Sequence, residues 1–174
     1  YLMTYILPIN GITPQIGQNV WLAPNATLVG DVQMGNDCTV WFNAVIRGDV
    51  NSISIGNNTN IQDGVVIHCT YKRHKTIIGN RVSLGHNAIV HGCTIEDNVL
   101  VGMGAILMDG VVVGEGSIIA AGAIVTQGTQ IPAGSIYAGN PARFLKTVSD
   151  EHRAMIERTA TNYTLYASWF QENE

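Results

Sequence analysis

The chain has 174 residues, enough for one domain with a substantial core; 46% are hydrophobic and only 13% carry charge. Thirteen acidic residues against nine basic ones give a net charge of −4 with no cluster of lysine and arginine, so nucleic acid is not an expected partner. No apolar run reaches membrane-spanning length, so no membrane association is expected, and the low charge suggests surface hidden between subunits.

Residues 1–19 are expected to cap one end of a repeat region, because terminal repeats need a protected outer face. From Val20 a period of six sets in, with aliphatic or small residues at Val20, Ala26, Val32, Cys38, Ala44 and Val50. After a slip of one residue it resumes at Ile55, Ile61 and Ile67. An insertion, Cys69 to Thr76, comes next. The pattern returns at Ile78, Leu84 and Val90, slips once more, and runs through Ile95, Val101, Leu107, Val113, Ile119, Val125, Ile131 and Tyr137. Gly, Asn and Asp recur after these anchors, as in Gly35-Asn36-Asp37, Gly56-Asn57-Asn58 and Asp97-Asn98. These residues tolerate the left-handed backbone region that tight corners require.

A short strand and a corner in each hexad make a three-sided coil of ~18 residues. The spacing therefore predicts an all-β solenoid over residues 20–141, a parallel β-helix of about six to seven coils. Strict hexads resemble the left-handed, triangular kind. A β-sandwich is disfavoured, since its strands are less evenly spaced. Gly139-Asn140-Pro141 ends the pattern, and Ser149-Asp150-Glu151 opens a helix. Met155, Ile156, Thr159, Tyr163, Tyr166, Ala167 and Phe170 come at helical spacing, which predicts one amphipathic C-terminal α-helix over 149–171 packed on the solenoid.

The register also aims the histidines. His68 follows the anchor Ile67 and His91 follows the anchor Val90, so both point outward at equivalent places on successive coils, about 4.8 Å apart. Such a pair can share one metal ion. His86 lies near a different corner, two residues after Leu84, where it could reach the pair of a neighbouring copy. Copies packed around an axis parallel to the coils would form a homotrimer with intersubunit sites. Three neutral imidazoles leave an open coordination position, the pattern of catalytic zinc (Zn2+), although imidazole suits Fe2+ and Co2+ as well. His152 reads as an ordinary polar residue. Cys69 and Cys93 do not share the outward direction of their neighbouring histidines, which makes them buried thiols rather than ligands. Three sparse cysteines, with Cys38, fit a reducing, cytoplasmic location.

Arg47-Gly48-Asp49, Asn60-Ile61-Gln62-Asp63, His68, Gly85-His86 and His91-Gly92-Cys93 occur in the order found in gamma-class carbonic anhydrase-like proteins, which the chain resembles from about Val20 to the final helix. Gly102-Met103-Gly104 and Gly139-Asn140-Pro141-Ala142 extend the likeness. The resemblance implies a trimer whose metal ligands are His68, His86 and His91. It implies that Arg47 and Asp49 join neighbouring subunits beside an anion site, and that Gln62 hydrogen-bonds metal-bound solvent or bicarbonate. Asn60 and Asp63 match accompanying polar positions. The register adds that Asp63 and His86 are equivalent on successive coils, where an acid can orient an imidazole; the other reading of Asp63 is a corner residue serving backbone donors. Tyr163 resembles a tyrosine that shorter members place near the metal, and packing is its other reading. The implied reaction is the reversible hydration of carbon dioxide to bicarbonate by metal-bound hydroxide at subunit interfaces.

Two departures stand against that reading. Val50 occupies a place where the best-characterised active form carries glutamate. The Cys69–Thr76 loop carries Lys72, Arg73, His74 and Lys75 and no carboxylate, so the usual proton shuttle is missing and His74 is the available substitute. A hexapeptide-repeat acyltransferase or thioesterase acting on a coenzyme A ester is the alternative enzyme. A catalytically silent metal-binding or assembly homologue is the third reading.

Overall fold

The structure, a computed structural model, describes residues 4–171. Its corners are made by residues that accept positive φ. One edge of the coil is taken in turn by Asn19, Asp37, Asn58, Arg81, Asn98, Gly116 and Gly134, with φ between 53° and 66°. Between corners the backbone is extended, and each strand hydrogen-bonds in parallel to its equivalent one coil away.

Three faces result. The first stacks Trp21–Leu22, Thr39–Val40, Asn60–Ile61, Ser83–Leu84, Leu100–Val101, Ile118–Ile119 and Ser135–Ala138. The second stacks the first halves of Thr27–Met34 and Val45–Ile55 with Val66–His68, Ile89–His91, Ile106–Leu107 and Ile124–Val125. The third runs from Gln15–Ile16 through the second halves of the two long strands to Thr76–Ile78, Thr94–Ile95, Val112–Val113 and Gln130–Ile131. Because the two long strands round a corner, the second and third faces join into one 12-stranded sheet. Among the described residues the fold is thus a parallel β-solenoid of about seven turns with one C-terminal helix, Asp150–Gln171.

The core is a set of in-register aliphatic columns. Leu84 lies between Ile61 and Val101, and none of the three retains any exposed surface. The register of the first coils differs from the one read off the period. Leu22, Leu28, Met34, Val40 and Ile46 form the rungs that Ile61, Ile55 and Ile67 continue. Val20, Ala26, Val32, Cys38 and Ala44 precede them by two residues and fill the inner side of the corners, while Val50 is only half-buried. Both sets turn inward and both are apolar, so the period of six survives a two-residue shift. The apparent slip before Ile55 is instead an insertion of about three residues relative to the six-residue repeat, in the long strand Val45–Ile55.

Stacking begins earlier than expected. Tyr5–Leu7 pairs with Thr27–Val29, and Gln15–Ile16 pairs with Gln33–Met34, both inside the segment read as a cap. The first three residues of that segment lie outside the described ones. At the other end, Arg143–Thr147 turns back antiparallel on Ser135–Ala138, a strand that no sequence period announces.

Each face meets a different environment. On the first face the outward side chains Leu100, Ile118 and Ile136 pack with Val148, Met155 and Ile156 at the start of the helix. Further along, Phe170 and Tyr163 pack on Trp21, Trp41 and Phe42. The third face turns out mostly polar residues, among them Gln15, Gln33, Ser54, Thr94 and Gln130. The second presents a ladder of aliphatics that no other described residues cover: Val45, Val66, Ile89, Ile106 and Ile124. Near the start of the helix, Ser149 Oγ lies 2.6 Å from His152 Nδ1, which engages that histidine away from the others.

Replacing Leu84 by Ala should destabilise the fold by about 2–5 kcal/mol, because neighbours above and below cannot collapse into the gap. Urea unfolding followed by far-ultraviolet circular dichroism measures this as a lowered midpoint at unchanged slope.

Candidate metal centre

His68 and His91 pair in register at the ends of adjacent strands on the uncovered second face. Their ring centroids lie 5.1 Å apart, and His68 Nδ1 is 3.1 Å from His91 Nε2. The other nitrogen of each ring meets a carboxylate. His68 Nε2 lies 2.9 Å from Asp49 Oδ1, and His91 Nδ1 lies 2.7 Å from Asp109 Oδ1.

These four nitrogens can be accounted for one by one. An ionised carboxylate only accepts, so the outer nitrogen of each ring carries the hydrogen. In neutral rings the inner nitrogens are then both lone pairs, aimed at each other across 3.1 Å. That contact is relieved by a shared proton or by a metal ion held between the rings. Two nitrogens on a tetrahedral zinc, each at about 2.0–2.1 Å, stand roughly 3.3 Å apart. The donor set and its spacing therefore fit a metal ion.

Both carboxylates are ionised by their surroundings. Burial pushes Asp49 up, but hydrogen bonds from His68 and Arg47 and the guanidinium charge outweigh it and hold the group below its ordinary value. Arg47 makes a close ion pair with the same carboxylate. At Asp109 burial again raises the value, and it is outweighed by hydrogen bonds from Thr70 and His91 and by the nearby His91 and His74.

His86 stands apart from this pair, at a corner beneath the C-terminal helix. Its Nδ1 is 2.9 Å from Asp63 Oδ2, and its Nε2 is 3.4 Å from the Tyr163 hydroxyl. Its backbone N–H donates to Gln62 Oε1 at 3.2 Å. Gln62 Nε2 donates to Asn60 Oδ1 at 3.0 Å, and Asn60 Nδ2 donates to Ser83 Oγ at 2.7 Å. Gln62 does turn away from the solenoid interior, yet it and Asn60 are buried. Their amides are thereby set in one orientation. Burial, with Asp63 and Tyr166 nearby, pushes the Tyr163 hydroxyl up to about 12.

The structure thus brings together Arg47, Asp49, His68 and His91 in one cluster, and Asn60, Gln62, Asp63, His86 and Tyr163 in another. Among the described residues no three His, Cys, Asp or Glu side chains converge as a metal cluster within the chain. Asp109 and Thr70 belong to the first cluster and were not singled out in the sequence. The signal was available, since Asp109 follows His91 by one coil. A groove of about 710 Å³ between helix and coils is lined by Arg81, Glu115, Arg153 and Glu157 among others and holds none of these histidines.

Comparison with known proteins places this architecture. A family described as bacterial transferase hexapeptide (six repeats) matches residues 13–48 and 92–127, and one described as hexapeptide repeat of succinyl-transferase matches 75–108. A protein of Methanocaldococcus jannaschii named probable carbonic anhydrase is 56% identical over 148 residues, covering 85% of this chain and 92% of its own. The chain belongs to the gamma-class carbonic anhydrase-like family. Gamma carbonic anhydrase 1, mitochondrial, of Arabidopsis thaliana is 47% identical over 156 residues, 87% of this chain. The chain spans only 57% of that plant relative's length. A solved structure of a Bacillus cereus protein, named a putative acetyltransferase, superposes with a TM-score of 0.95 at 35% identity, covering 98% of this chain and 99% of that one.

In this gamma-class carbonic anhydrase-like chain the cysteines are free, buried thiols. Burial pushes Cys38 up to about 11 and Cys93 up to about 12. Iodoacetamide at pH 8 should leave Cys38, Cys69 and Cys93 unmodified in the folded protein and label all three in urea, as read by intact mass.

Proposed function

We propose that the chain is a metal-dependent carbonic anhydrase-like enzyme that interconverts carbon dioxide and bicarbonate at sites completed between the subunits of a homotrimer. The observation that carries this is the pair of inner nitrogens of His68 and His91, 3.1 Å apart, with a carboxylate on the outer nitrogen of each ring. His86 meets neither of them within the chain, so the third donor is His86 of a neighbouring copy. Zinc is the metal proposed, with Fe2+ or Co2+ as the alternatives. A bound ion of this kind supplies Lewis acidity that makes hydroxide available near neutral pH.

The chain's own residues do the rest. The apolar ladder Val45, Val66, Ile89, Ile106 and Ile124 runs beside the paired histidines and offers the surface on which a second copy packs. Packing there would exclude water from the site and leave an apolar setting suited to carbon dioxide. Gln62, fixed by Asn60 and the His86 backbone, presents an oriented amide for a polar reacting group. Arg47, anchored by Asp49, offers positive charge for bicarbonate. Tyr163 narrows the approach to His86. No carboxylate occupies the 69–76 loop, and His74 is proposed as the exit for the proton.

Acyl transfer on a coenzyme A ester, suggested by the name of the Bacillus cereus relative, calls for a histidine free to act as base. His86, with Asp63 on its Nδ1 and Tyr163 3.4 Å from its Nε2, is the histidine that could take that role, and the metal reading is preferred because His68 and His91 are paired as donors. No helix among the described residues is long and apolar enough to cross a membrane. The free cysteines support a reducing compartment, which we take to be the cytoplasm.

Stopped-flow hydration of carbon dioxide, on zinc-loaded and chelator-treated samples whose metal content is measured, tests the reading. Activity should appear with zinc and vanish with the chelator. Bound zinc without hydration would overturn it, and turnover of a coenzyme A ester by the same sample would replace it. The His86→Ala variant should lose bound metal with no change in circular dichroism. The Ile89→Arg variant should dissociate the trimer and lose metal with it. A monomeric Ile89→Arg chain that kept its full metal content would sink the intersubunit site.

A further inference from the structure

Asp109 reaches His91 from the next coil, and the surrounding residues are shaped around that reach. Its Oδ1 lies 2.7 Å from His91 Nδ1, and its Oδ2 accepts from the Thr70 hydroxyl at 2.5 Å. Thr70 lies just after His68, in the inserted loop, so the one carboxylate ties the loop to the coil beyond the histidine pair. Gly92, next to His91, has φ +56°, and a Cβ built there would collide with Asp109 Oδ1 and with His74 Cβ. The glycine is the gap through which the carboxylate passes. Both oxygens of Asp109 are engaged, each by a different residue, which leaves the group little freedom to turn.

We infer that Asp109 is a positioning residue for the candidate metal centre: with Thr70 and Gly92 it fixes His91 as the Nδ1–H form and so turns the lone pair of Nε2 toward His68. The inference rests on the metal reading for its purpose, but its geometry does not require a metal. Asp49 and Asp63 stand behind His68 and His86 in the same sense. Asp109 completes the set, so each of the three histidines carries a carboxylate on one nitrogen and keeps the other for the site. Carboxylates in this place typically hold metal affinity up by roughly 10–100-fold.

Two measurements on the whole chain test this. Long-range ¹⁵N–¹H correlation spectra of the metal-free protein report the tautomer of His91. The wild type should show hydrogen on Nδ1, and Asp109→Ala should lose that preference. Zinc affinity, by competition with a chromophoric chelator, should fall roughly 10–100-fold in Asp109→Ala. Asp109→Asn keeps an acceptor and should lose less, and Thr70→Val should lie between. Asp37→Ala, which removes a corner carboxylate far from the histidines, should change neither readout. A purely structural role would lower the melting temperature of metal-free Asp109→Ala and leave its zinc affinity intact; that outcome, or an unchanged His91 tautomer, would overturn the inference. If Asp109→Ala fails to fold, Asp109→Asn and Thr70→Val carry the same test. A wild type that takes up no zinc would remove the proposed function, while the tautomer would still decide whether Asp109 positions His91.

Discussion

Everything in this molecule depends on parallel, in-register stacking. A residue in a β-solenoid has as its neighbour not the next residue in the chain but the one a coil away, about 4.8 Å along the axis. Inward, that rule builds the aliphatic columns through Leu84 and Leu107. At the corners it stacks amides, so that Asn57 Oδ1 accepts from the Asn36 backbone N–H at 2.8 Å and Asn80 Oδ1 does the same for Asn57 at 2.9 Å. Outward, it sets His68 against His91 and Asp49 and Asp109 behind them. The candidate metal centre is therefore not an addition to the fold. It is the same ladder, written with imidazole where later rungs carry Met108 and Thr126.

One outward residue per hexad decides what each face becomes. The first face carries Leu100, Ile118 and Ile136 and is covered by the chain's own helix. The third carries mainly glutamine, serine and threonine, interrupted by Ile77 and Val112. The second carries Val66 and Ile89 at 38% and 37% exposure, beside the histidines, with nothing among the described residues to cover them. Solvated aliphatics in a continuous row are costly, at roughly 25 cal/mol per Å² of surface left wet. The face that would gain most from a second copy is thus the face that bears half of the proposed metal site. The other half, His86 with Gln62 and Tyr163, lies under the helix at a different corner.

Much of this was legible in the sequence, for identifiable reasons. The period of six survives because inward positions tolerate only apolar side chains, and the His68–His91 register came from counting onward from Ile67 and Val90. Counting failed where two inward columns look alike. Ala26 and Leu28 are both buried, and spacing alone could not say which of them carried the rung. It failed again at Arg143–Thr147, whose largely exposed residues show no alternation because the strand only closes an edge. Asn60 and Gln62 flank the anchor Ile61, but their burial depends on tertiary cover, which spacing does not encode. Asp109 was missed for a different reason. Its sequence neighbours are ordinary, and only the spacing of 18 residues to His91 marks it.

A stable fold has a physical reason to keep so awkward a pair. In a metal-free chain with both rings neutral, the inner nitrogens, 3.1 Å apart and with both outer nitrogens committed to carboxylates, would face each other as lone pairs. Each such group costs about 1–3 kcal/mol if it stays desolvated. A solenoid can carry that cost because its stability is summed over neighbouring coils rather than concentrated at one point. A cation placed between the rings would remove the penalty, so binding energy and relief of strain would act together. The carboxylates that create the mismatch are thus the groups that make the centre selective for a positive charge, and the repetitive core beneath them is what allows the mismatch to persist.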